Sequence, residues 1–246
     1  MNKRLEWRIV AFFQYWQHRL TFIQGLDNQH RHEANVLIYA ALDALSNLWS
    51  QHIGKVECAA IKKRKRLIFD AFLSRYGGDT FQVVSLPDVW NRIDRGDIFL
   101  GQKSLSTDVV NILGKIGNRQ EPTFTNKRRL RQSSEDWSLD RVTTAVLAEC
   151  PTANQPLLED WLTLSKYGAI AYKEMRSAYI HEGRSGKGSH GYKLSNSAIL
   201  PTYQSGIYTT PPAIGFSIEF MTKVLEDCIN GFESTALALQ QDPVPD

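Results

Sequence analysis

The residues best suited to chemistry lie together late in the chain. Arg176 is followed, after four residues, by His181, and a glycine-rich stretch begins at Gly183 (Arg176-Ser177-Ala178-Tyr179-Ile180-His181-Glu182-Gly183). An unperturbed imidazole titrates near ~6.5, so a histidine can give or take a proton near neutral pH. A guanidinium stays charged and grips phosphate oxygens as a two-pronged fork. The two residue types together suit proton transfer beside a phosphate without a metal ion. A second pair, Arg184 and His190, lies in the Gly/Ser loop that follows and lacks helical periodicity.

Three other groups merit notice. Asn35, Tyr39, Asp43 and Asn47 (with Ser46) form a polar line at i/i+4 spacing on an otherwise apolar stretch. It is either a solvated helix face or the source of a carboxylate that orients the pair. Lys62, Lys63, Arg64, Lys65 and Arg66 are five consecutive cations, with Arg75 beyond them. Such a run is either a solvated face or a track for phosphates, which gains affinity by counterion release. Lys127, Arg128, Arg129 and Arg131 repeat the theme in a polar loop. Finally, His30 and His32 with Glu33 have no evident third ligand, so no metal and no cofactor is expected.

The elements that must position these residues read mostly as helix. The first spans about 5–22, with Trp7, Val10, Phe13 or Gln14, Gln17 and Leu20 at roughly three-to-four spacing. The second spans about 29–51, on the stripe Ile38, Leu42, Leu45, Trp49. A third is expected over 57–75, and short ones after Ser85, over 106–116 and over 139–149. Leu157, Trp161, Leu164, Gly168, Tyr172, Met175 and Tyr179 predict one continuous helix from Pro156 to Gly183. A small hairpin is expected near 192–210, and a last helix from Pro211-Pro212 to about 240. The fold class is therefore all-α, or mainly α, in one domain over 1–246. Segments 80–150 and 186–211 read as insertions.

The local form R-S-x-Y-I-H-E-G, closing a long helix in an α-rich chain, resembles the R-x(4–6)-H motif of the HEPN superfamily. His32 to Trp49 resembles the earlier core helix of such domains, whose acidic residue faces the motif; Asp43 matches it. The resemblance covers 29–51 and 157–185. It implies a helical bundle, a homodimer with a composite site, and a metal-independent ribonuclease acting on RNA in a toxin or antiviral defence setting, with an antitoxin or defence protein as partner. In that reading the catalytic residues are Arg176, His181, Ser177 and Asp43. His181 is the general acid/base, Arg176 holds the scissile phosphate, Ser177 and Asp43 position them, and the 62–66 run guides RNA. Ser177 stands where catalytic members usually carry Asn, Asp or His. Two alternatives stay open: a binding module of the same fold without catalysis, and a purely structural helical protein.

Helical geometry adds a constraint. Five residues at about 100° each set Arg176 and His181 roughly 140° apart, whereas Ser177 and His181 share a face. Two copies meeting at this helix would complete a cleft that one helix splits. Tyr172, Met175 and Tyr179 offer an apolar face for that contact.

Composition bounds the rest. The 246 residues carry 42% hydrophobic and 22% charged side chains and a net charge of +3, a globular and only mildly basic chain. Cys58, Cys150 and Cys228 are scattered and odd in number, which argues against a disulfide framework. With no apolar run approaching the ~20 residues of a bilayer span, a cytoplasmic protein without membrane contact is expected.

Overall fold

The computed structural model describes residues 3–61, 64–117, 119, 132–191, 200–204 and 213–244. The chain is a mainly α-helical bundle with a few short β pieces, and its helices pack into two apolar clusters. The larger cluster joins α1 (Lys3–Gln24), α2 (Arg31–Gln51), α3 (Lys65–Tyr76) and the closing helix α10 (Ile218–Leu239). The smaller one is formed by α4 (Leu86–Asp94), α5 (Thr107–Leu113), α6 (Leu139–Glu149) and α7 (Gln155–Thr163). Segment 80–150, expected as an insertion, thus supplies most of a second core.

In α2 the expected stripe of Ile38, Leu42, Leu45 and Trp49 is fully buried. The chain leaves that helix at Gly54, where a Cβ would meet the Trp49 ring at 2.3 Å. In α1 the buried stripe is Ile9, Phe13, Trp16, Leu20 and Ile23, a complete i, i+4, i+7, i+11, i+14 series. Trp7, read from sequence as part of the inner face, points outward.

Small strands tie the clusters together. β1 (Val83–Val84) pairs antiparallel with β4 (Trp137–Ser138), and β2 (Phe99–Leu100) with β3 (Lys103–Ser104). β5 (Ser189–His190) runs parallel to β7 (Ala213–Gly215), with β6 (Thr202–Gln204) antiparallel on its other side. The strand pieces expected within 192–199 and 207–209 lie outside the described residues, as does the cationic loop 127–131. Of the described strands, β6 falls inside the expected hairpin and pairs with β7 just beyond it, and β5 makes the sheet three-stranded.

Three element boundaries differ from expectation. The third helix begins at Lys65, eight residues late, after a short 3-10 turn at Ala59–Ile61. The last begins at Ile218, where Ser217 accepts a hydrogen bond from Phe220 N–H, because residues 213–215 pair as a strand. The long helix expected over 156–183 breaks at Leu164-Ser165-Lys166. There the carbonyls that end α7 find partners from elsewhere. Arg66 donates to Leu164 O, Arg92 Nη1 donates to Trp161 O at 2.8 Å, and Ser85 N–H donates to Ser165 O at 2.9 Å.

A buried hydrogen-bond network holds the clusters in register beside this break. Asp136 Oδ2 accepts from Tyr167 at 2.7 Å and Tyr203 at 2.5 Å, while Oδ1 accepts from Leu86 N–H at 3.2 Å. Burial pushes the Tyr203 phenol well above its ordinary range. Asp136→Ala would take this acceptor from the Tyr167 hydroxyl and the Leu86 N–H, at ~1–3 kcal/mol each, while the Tyr203 hydroxyl keeps Ser85 Oγ at 2.7 Å. The expected loss is about 3 kcal/mol in urea unfolding, with Asp136→Asn milder. An unchanged midpoint in the alanine variant would show that the network is idle.

Candidate functional site

The motif sits on the helical run after the break: α8 (Tyr167–Ile170), a π-helical segment at Ala171–Arg176, and α9 (Ser177–Glu182). α3 grips its start, since Arg66 Nε donates to Ala169 O at 2.9 Å and Lys166 Nζ lies 3.0 Å from Asp70 Oδ2. Such π segments widen one turn and recur at functional sites. This one ends at Arg176. The run then stops at Gly183, whose φ of +68° is a left-handed conformation that glycine adopts without a Cβ penalty.

Arg176 and Asp43 meet directly. Arg176 Nη2 donates to Asp43 Oδ2 at 2.7 Å, with the two side chains 16% and 14% exposed. The guanidinium carbon lies 5.2 Å from the Tyr172 ring centre, and Tyr172 in turn packs edge-on against Phe69. Arg176 Nε is buried without a hydrogen-bond partner. Asp43 and Tyr39 of the polar line of α2 therefore face the motif helix and not open solvent. Tyr39 is fully buried and stacks on Tyr179, and desolvation raises its phenol far above the usual value. Ser46 and Asn47 do not reach the motif; both donate to Asp43 O at 2.9 Å.

His181 is exposed in the last turn of α9. No hydrogen bond or ion pair joins it to Arg176, Asp43 or Ser177. Exposed Lys173, half-exposed Ser177 and Ile180 (41% exposed) fall between the directions of Arg176 and His181 around the helix. The pair thus flanks the outer strip of one helix. Met175 is fully buried, and Tyr172 and Tyr179 pack against the larger cluster. The apolar face offered above for dimer contact is consequently satisfied within the chain, and Ile180 is the large apolar side chain left outside.

His32 also reaches this end of the helix. Its ring lies 5.4 Å from that of Tyr179, and a Cβ on Gly183 would sit 3.9 Å from it. In the sequence His32 stands out as a metal-ligand candidate and as the first residue of the resembled core helix. Its offset from Asp43, eleven residues or three turns up the same helix, was the signal that it would face the motif. Among the described residues, no group of three or more His, Cys, Asp or Glu side chains could hold a metal ion.

The remaining candidates disperse. His190 of the second Arg–His pair is buried in β5 against Gly215, not in an open loop. Of the cationic run, Lys62 and Lys63 lie outside the described residues, while Arg64 and Lys65 are exposed. Arg66 does not join them, because its guanidinium is turned inward onto the Leu164 and Ala169 carbonyls. Burial lowers its pKa. Arg64 and Asp160 border two neighbouring surface cavities of about 590 and 480 Å³ between α3, α7 and the β2–β3 turn. Burial drives the Cys58 thiol up to about 11 and raises Cys228 well above its usual value, which leaves neither as a thiolate nucleophile. Among the described residues, no helix is long and apolar enough to cross a membrane. Compared with known proteins, the chain matches no family model, no curated protein and no solved structure.

Proposed function

We propose that the chain is a metal-independent endoribonuclease of HEPN type, acting as a homodimer on RNA. The observation that carries this reading is the placement of the pair. Arg176 is fixed at the surface edge by Asp43 at 2.7 Å, and an exposed imidazole, His181, stands at the end of the same helix. Held in this way, a guanidinium with several free N–H groups meets a phosphate without first having to be ordered. In the reaction, a base takes the proton from the RNA 2′-hydroxyl as its oxygen attacks the adjacent phosphorus. An acid protonates the departing 5′-oxygen, leaving a 2′,3′-cyclic phosphate and a 5′-hydroxyl. His181 serves as the proton carrier, Arg176 stabilises charge on the phosphoryl oxygens, and Ser177 and Asp43 hold them in place. Two copies facing each other across Lys173, Ser177 and Ile180 would set two such pairs around one strand. Exposed Arg64 borders the cavities beside α3, and exposed Lys65 follows it in the chain, where the two can attract the backbone. A toxin or antiviral setting follows from the family resemblance.

The ion pair also favours a second reading, binding without cleavage, because Asp43 neutralises the charge that a phosphate would meet. One experiment separates them. Purified protein incubated with labelled single-stranded RNA in excess EDTA is expected to yield cyclic-phosphate ends. Light scattering at micromolar concentration is expected to give twice the chain mass. Intact RNA that is nevertheless retained by the protein would support the binding module; a monomer would remove the composite cleft.

A further inference from the structure

The outer side of α1 is unlike the rest of the surface. Its inner stripe is buried in the larger cluster, yet three aromatic rings remain outside it: Trp7 at 71% exposed, Tyr15 at 49% and Phe22 at 62%. At about 100° per residue the three fall within roughly 80° of one another around the helix. They are spaced by about 12 and 10 Å along it. Lys3, Arg4, Arg8 and Arg19 are exposed beside them, and Glu6 is the one acidic residue of α1. Arg8 shares its charge with Asp242 at 2.7 Å, and the Arg19 guanidinium lies 4.3 Å from the centre of the Tyr15 ring.

We infer that this face of α1 binds single-stranded nucleic acid, the rings stacking on unpaired bases and the arginines following the phosphates. It rests on the ribonuclease reading only in taking that strand to be the substrate; the surface itself stands on separate residues. Aromatic platforms interleaved with cations are how unpaired strands are held without sequence preference, since every base has a π face. A guanidinium lying on a ring adds a second stacking plane. Duplexes lack accessible base faces and should bind through the cations alone.

The competing occupants fit less well. A helix lying in a membrane interface buries a contiguous apolar face. The contiguous face of α1 is already inside the protein, and Gln14, His18 and Thr21 are exposed among the outer rings. A second copy docking by two-fold symmetry would set the same cations against each other.

The test uses the full chain and a labelled single-stranded DNA of about twelve nucleotides. Such a strand lacks the 2′-hydroxyl and so reports binding apart from cleavage. Fluorescence anisotropy is expected to show preference for the strand over its duplex. Trp7→Ala and Phe22→Ala should each weaken strand binding by roughly tenfold or more, and Trp7→Phe should restore most of it. Arg4→Gln with Arg19→Gln should flatten the salt dependence. These side chains are exposed, so circular dichroism should be unchanged. Ring variants that bind the strand as tightly as the parent would overturn the inference. So would equal binding of strand and duplex, or ring-dependent adsorption to anionic vesicles without strand binding. Cleavage of RNA with no role for these rings would overturn this inference alone. Strand binding without cleavage would overturn the ribonuclease reading alone.

Discussion

His181→Ala is expected to lower RNA cleavage by at least about a hundredfold, the scale of a lost general acid or base. Helix content and oligomeric state should stay intact. The side chain is exposed and, among the described residues, makes no hydrogen bond or ion pair, so its removal should change stability by no more than ~0.5 kcal/mol. Arg176→Ala should match that loss and add weaker RNA binding. It should also destabilise the fold by about 1–3 kcal/mol, because it leaves the Asp43 carboxylate largely enclosed without its partner. Arg176→Lys keeps the charge but not the fork, and should recover stability better than turnover. Asp43→Asn tests positioning: the amide can still accept from Arg176, so binding should survive while kcat falls. The control is Arg184→Ala, whose exposed side chain belongs to the second Arg–His pair. His190→Ala is unsuitable as a control, since its buried ring fills space against Gly215 and its loss would disturb the sheet. Full cleavage by His181→Ala would sink the mechanism, and loss of helix content in that variant would reduce His181 to a structural cap.

How far the sequence foretold this arrangement depended on whether local rules decided it. The α2 stripe was legible because a 3.6-residue period with four large apolar side chains has one inward solution. The end of α6 was legible from Pro151 beyond it, and the Ser85 cap of α4 from a serine ahead of Pro87 in the first turn. Facing of Asp43 toward the motif helix could be expected only through the family resemblance, as spacing alone left a solvated face open. The break at 164–166 left no local trace. Leu157 to Tyr179 keep helical spacing across it, but Trp161 belongs to the smaller cluster and Met175 to the larger. The apparent stripe is two stripes in series, separated by a turn that distant side chains stabilise. Arg66 was misread for a related reason: within five consecutive cations, nothing local marks the one that turns inward. The two-residue strands are too short for alternation to register, and their pairing is set by tertiary contacts.

The largest stability effect is expected at that break, from Lys166→Met. Lys166 Nζ lies 3.0 Å from Asp70 Oδ2 and donates to Ser74 Oγ at 2.6 Å, with the two charged side chains only 7% and 3% exposed. Asp70 also lies against Gly168, where a Cβ would sit 2.6 Å from Oδ1, so the pair sits at the first turn of the helix that carries Arg176. Burial raises the Asp70 pKa above its ordinary 3.8, even though Lys166 pulls it down. Removing the ammonium leaves a buried carboxyl without its ion-pair partner and with only the more distant Arg66 charge, a loss of about 3–5 kcal/mol near neutral pH. That loss should shrink on acidification. Above pH 3.8 and below its raised folded value, Asp70 holds more of a proton in the native state than in the unfolded chain. Stability therefore increases as pH falls through the folded value. Without Lys166 that value moves further up, so recovery begins at a higher pH in the variant than in the parent. Asp70→Asn combined with Lys166→Met removes both charges and should regain much of the stability, which keeps the test informative if the single variant does not fold. Urea unfolding at mildly acidic and mildly alkaline pH reads both. A small, pH-independent loss in Lys166→Met would mean that the pair neither carries buried charge nor anchors the motif helix.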